Sequence, residues 1–136
     1  VNFASVRMIT EDVDSLVAFY EHVLRVSAER SAPVFAEFVL PSCTLAIGHT
    51  QTTALFGVDA ANASRAMNHP VILEFHVADI EAEYERLRTF IHDWVQQPTT
   101  MPWGNRSMLF RDPEGNLVNF FEPISKEAIQ RFNKRH

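Results

Sequence analysis

Two stretches of the chain alternate apolar and polar residues with period two, and each runs into an acidic helix start. In residues 4–9, Ala4, Val6 and Met8 form one row, and Ser5, Arg7 and Ile9 form the other. In residues 71–77, Val71, Leu73, Phe75 and Val77 form the apolar row, facing away from Ile72, Glu74 and His76. Period two marks a strand with one side on a core and the other on something wetter. Residues 5–14 also resemble residues 72–81 in order: Asp12 falls on Asp79, Val13 on Ile80 and Asp14 on Glu81. Such self-similarity predicts a duplicated unit. Helical stripes follow both strands, one through Val13, Leu16, Val17, Tyr20, Val23 and Leu24, the other through Ile80, Tyr84, Leu87 and Ile91. Asp12 and Asp79 stand where a carboxylate caps a helix N-terminus or meets its dipole.

Further strands are predicted after each helix: VFAEFVL at 34–40 and CTLAI at 43–47, then RSMLFR at 106–111 and LVNFFE at 117–122. The last two are joined by DPEGN, a strong turn signal. Strand, helix and two or three strands are thus written twice, an α+β pattern. The polar, Ala-rich residues 48–70 read as the connection, and Ser125 as the cap of a C-terminal helix carrying Ala128, Ile129 and Phe132. If the two sheets curl toward each other, parity lines a cup with Ser5, Arg7, Thr44, Ala46, Glu74, His76, Asn119 and Phe121. A one-residue slip in register would exchange the faces.

Composition narrows the function. The chain has 136 residues, enough for one ordinary domain, and 46% apolar residues, enough for a buried core. A net charge of −5 argues against a nucleic-acid partner, which needs a basic face. Cys43 is the single cysteine, so neither an intrachain disulfide nor a zinc cluster of cysteines is expected. No apolar run reaches the ~18 residues of a membrane span, and no signal peptide is read, so a soluble, cytoplasmic protein is expected.

EDVDSLVAFYEHVL after the first strand, its second copy, and the closing PWGNRSMLFRDPEGNLVNFFEP together resemble the glyoxalase/bleomycin resistance/dioxygenase superfamily, or vicinal oxygen chelate proteins. The resemblance covers nearly the whole chain and is weakest over 48–70. It implies one domain over 1–136, built of two βαβββ modules, 1–48 and 71–122, as a curved mixed sheet around a ligand cup, with a C-terminal helix at 125–135. The metal positions of the family's enzymes map to Ser5, Ala46, Ile72 and Asn119. Ala46 and Ile72 carry no donor atom, so the usual metal is not expected, and no other cofactor is implied. FAEFVLPSCTLAI and PWG followed by RDPEGN are similar to the metal-free, bleomycin-binding branch. That branch implies sequestration of a flat aromatic ligand, such as a cationic antibiotic, stacked on Phe35 and Trp103. The family also implies a homodimer with cups at or near the interface, which sedimentation at twice the 15.5 kDa chain mass would show.

Each candidate has a structural alternative. Trp103 is a ligand wall or loop packing, and Phe35 and Phe121 are walls or strand core. Arg106 faces the cup or solvent, whereas Arg111, Asp112 and Gly115 build the DPEGN turn. Glu74 and His76 share a face and form either an acid/base pair or a solvated polar pair. The first reading makes the protein a lyase or isomerase, using these two residues or a non-standard metal. The second leaves them with Ser5, Arg7, Asn119 and Arg106 as ligand contacts. Cys43 reads as a small core residue and the other histidines as surface.

Overall fold

The computed structural model describes residues 3–52 and 71–135. The chain divides into two compact units, Val1–Asn68 and His69–His136. In the first, β1 (Ser5–Thr10) leads into α1 (Val13–Leu24), followed by β2 (Glu29–Ala32), β3 (Phe35–Val39) and β4 (Thr44–His49). The second repeats this order: β5 (Ile72–His76), α2 (Ile80–Leu87), β6 (Trp94–Thr100), β7 (Asn105–Arg111) and β8 (Leu117–Pro123). It then adds α3 (Lys126–Arg135). Each unit holds one four-stranded mixed sheet, ordered β1-β4-β3-β2 and β5-β8-β7-β6. The first strand of each module lies parallel to the last, and the other pairs are antiparallel. The duplicated α+β fold is therefore present.

The two copies share their local chemistry. The Asp12 carboxylate accepts from Ser15 N at 3.0 Å, and the Asp79 carboxylate accepts from Ala82 N at 3.1 Å. Both cap orphan N–H groups of a first helical turn. In the first unit, Leu16, Val17, Tyr20 and Val23 of α1 are buried, as are Ala36, Phe38, Leu45 and Ile47 of the sheet. In the second, Ile80 and Leu87 of α2 are buried, as are Met108, Phe110, Val118 and Phe120. Fully burying a side chain such as Phe38 or Phe110 contributes about 1.5–3 kcal/mol by apolar transfer.

Several expectations need correction. The βαβββ pattern implied a third strand in each module, but β2 and β6 were not located: ERSA is polar and largely exposed, and WVQQPTT carries a proline and two register shifts. The second helix ends at Leu87 instead of reaching Ile91, which is nonetheless buried. β4 runs through Gly48 to His49, so the connection begins later than expected, and its residues 53–70 lie outside the described residues. Cys43 precedes β4 and is half-buried, with Sγ facing the Ala4 and Thr44 carbonyls. No helix among the described residues is long and apolar enough to cross a membrane.

Candidate functional site

Parity places most of the expected residues as read. In the first sheet, Ser5 pairs with Thr44 and Arg7 with Ala46, on the face opposite Met8, Leu45 and Ile47. In the second, Glu74 pairs with Asn119 and His76 with Phe121, opposite Leu73, Phe75, Val118 and Phe120.

In the first unit, the Arg7 guanidinium lies 4.9 Å from the centroid of the Phe35 ring, a cation–π contact. At the neighbouring Gly48 a Cβ would press on Thr52 Oγ1 at 2.9 Å, whereas 3.5 Å from Arg7 Cδ would be ordinary contact. One face of Phe35 is therefore covered by an arginine of its own unit.

The second unit carries a cleft of about 510 Å³. Its walls are Trp103, Phe121, Pro123, Ala128 and Phe132, with Glu74, Asn105, Arg131 and Arg135 as the polar groups. Helix α3 brings Phe132 onto the His76 ring, with centroids 4.2 Å apart and planes 28° from parallel. Phe121 meets Phe132 edge-on at 6.3 Å. The turn at residues 101–104 seats the helix. Gly104 has φ +93° and donates its N–H to the Met101 carbonyl, while its own carbonyl accepts from Ile124 N and Ser125 N. Ser125 Oγ caps α3 by accepting from Ala128 N at 3.0 Å, and Arg131 donates to the Trp103 carbonyl. Trp103 stays 54% exposed, a wall of the cleft and no part of the core.

Asn119 Nδ2 donates to the Glu74 carboxylate at 2.8 Å. An ionised carboxylate only accepts, so this bond fixes the amide with Oδ1 on its other side. Among the described residues, Asn119 Oδ1 and Ser107 Oγ are buried without a hydrogen-bond partner. Ser107 pairs with Phe121 across β7 and β8. A buried hydroxyl without a partner is costly. Ser107→Ala should thus raise unfolding free energy by about 1 kcal/mol in urea denaturation; a loss of stability would mean that the hydroxyl has a partner.

Glu74 and His76 share a face of β5, and no hydrogen bond joins them among the described residues. Among the described residues the carboxylate accepts from Asn119, and the imidazole is stacked on Phe132 and tilted against Phe121. Arg106 does not join the cleft: it ion-pairs with Glu81 of α2 and reaches Thr100 Oγ1, sharing its parity with the buried Met108 and Phe110. Asn105, Arg131, Phe132 and Arg135 were missed as site residues. The spacing of Arg131 and Arg135, one helical turn apart beside Phe132, was the available signal. Among the described residues no three His, Cys, Asp or Glu side chains gather as a divalent ion would require.

Residues 2–120 match the Glyoxalase/Bleomycin resistance protein/Dioxygenase superfamily, and the chain belongs to that family. A glyoxalase/bleomycin resistance protein/dioxygenase from Nocardioides is 24% identical, with TM-score 0.77 over 93% of this chain and 85% of that one. A family enzyme from Burkholderia phytofirmans PsJN is 18% identical, with TM-score 0.80 over 91% and 100%. TioX from Micromonospora sp. ML1 is 20% identical, with TM-score 0.67 over 91% and 100%. At these identities the likeness establishes the shared fold. No curated protein sequence matches the chain.

Proposed function

We propose that the protein binds a planar aromatic small molecule in the cleft of its second unit and holds it without altering it. A sequestered antibiotic with flat rings is one ligand of that kind. The observation that carries this reading is the half-exposed Trp103 ring on a cleft of about 510 Å³ that Phe121 and Phe132 also wall. That volume falls within the range of small-molecule pockets, and rings stacked on aromatic side chains gain about 0.5–1.5 kcal/mol beyond area burial. Binding is favoured over catalysis because no hydrogen bond pairs Glu74 with His76 among the described residues, while aromatic side chains wall the cleft.

The chain has two tryptophans, and Trp94→Phe leaves Trp103 as the sole reporter. Titration with bicyclic and tricyclic aromatics should change its emission saturably. A dissociation constant of roughly 10 µM to 1 mM is expected for ring systems of about a dozen atoms. A flat response across the panel would rule the reading out.

A further inference from the structure

We infer that the cleft selects an aromatic anion, such as an aromatic carboxylate, with its acidic group directed at helix α3. The inference rests on the binding reading above and sets the charge of the ligand. It reverses the cationic ligand that the resemblance to bleomycin-binding proteins implies.

The argument is local charge. The chain as a whole carries −5, yet the cleft is lined by one carboxylate, Glu74, and two guanidiniums, Arg131 and Arg135. Neither arginine is neutralised inside the cleft. Arg131 donates to a neutral carbonyl, that of Trp103, and Arg135 has no hydrogen bond or ion pair among the described residues. The Glu74 carboxylate also bonds a neutral group, the Asn119 amide, and keeps its charge, so two positive charges face one negative across the cleft. Lys126 and Lys134 add to the basic character of α3, against Glu127 alone. The partial negative charge at the C-terminus of the helix is about half a unit, less than one guanidinium supplies. A guanidinium offers paired N–H donors that match a carboxylate, whereas an ammonium ligand would meet two like charges. Aromatic walls take the ring and the arginines take the acid.

Three probes with one ring system separate the possibilities: 2-naphthoate, 2-naphthylmethanol and 2-naphthylmethylammonium, titrated by Trp103 emission in the Trp94→Phe protein. Naphthoate should bind about tenfold more tightly than the ammonium at low salt, and added salt should narrow the gap. Arg135→Gln should shrink that preference, and Lys134→Gln should preserve it. Lys134→Gln makes the same charge change on the same helix at a residue that does not line this cleft. Equal or tighter binding of the ammonium, with the alcohol still bound, would overturn the charge selection and leave the aromatic cleft standing. Equal losses in both variants would overturn it too, by showing a diffuse charge effect. If none of the three probes binds, the binding reading falls together with the selection.

Discussion

Gly104→Ala should cost about 3 kcal/mol of stability and loosen helix α3 from its seat, the sum of a backbone penalty and lost hydrogen bonds. A Cβ at this position would overlap Ser125 Oγ and come within 2.8 Å of Ser125 Cβ and 3.0 Å of Ala128 Cβ. The backbone at φ +93° already disfavours any side chain. Neither obstacle can relax alone, because the Gly104 carbonyl holds both Ile124 N and Ser125 N. Relief therefore means giving up the bonds that start the helix. Urea denaturation should show the loss, and aromatic binding in the cleft should weaken in parallel. A cost below about 1 kcal/mol would show that the turn has room to move.

Asp112→Ala should be about as damaging, at about 3 kcal/mol, because three donors lose one charged acceptor. The Asp112 carboxylate accepts from Glu114 N, Asn116 N and Asn116 Nδ2 at 2.8–2.9 Å, and the residue is 4% exposed. Its backbone closes the same turn: its N–H donates to the Asn116 carbonyl, and its carbonyl accepts from Gly115 N. This hairpin sets the register that puts Met108 beside Phe120 and Phe110 beside Val118. Asp112→Asn keeps the size and one acceptor oxygen, so it should cost clearly less than alanine in the same denaturation experiment. Equal costs would mean that the charge and the second oxygen carry the whole contribution and that the retained oxygen adds nothing.

The duplicated strands and helices were legible because their rows are clean. Val6 and Met8 against Ser5 and Arg7, and Leu73 and Phe75 against Glu74 and His76, announce strands with one buried face. The edge strands β2 and β6 were implied by the βαβββ pattern, but their positions were not legible. Glu29–Ala32 and Trp94–Thr100 are held by pairing to a neighbour more than by apolar alternation, and irregular register blurs what alternation there is. Arg106 was misplaced for an avoidable reason, since it shares parity with Met108 and Phe110 and must face α2. The floor of the cleft could be read from Glu74 and Phe121 by strand parity. Its roof could not, because no periodicity within α3 says which sheet face the helix lies against. That choice is made at Gly104, where a glycine carbonyl and a serine hydroxyl fix where the helix begins.

This seat has a consequence for retargeting the cleft. Phe132 and Arg135 belong to an element outside the sheet's hydrogen-bond ladder, while Ser125, Ala128 and Arg131 meet the turn that seats it. The side chains at positions 132 and 135 can therefore be exchanged without disturbing strand pairing, and ligand preference can be shifted from the last turns of one terminal helix. A combinatorial library confined to those positions, with 104, 125 and 128 held constant, samples new pocket chemistries on an unaltered scaffold.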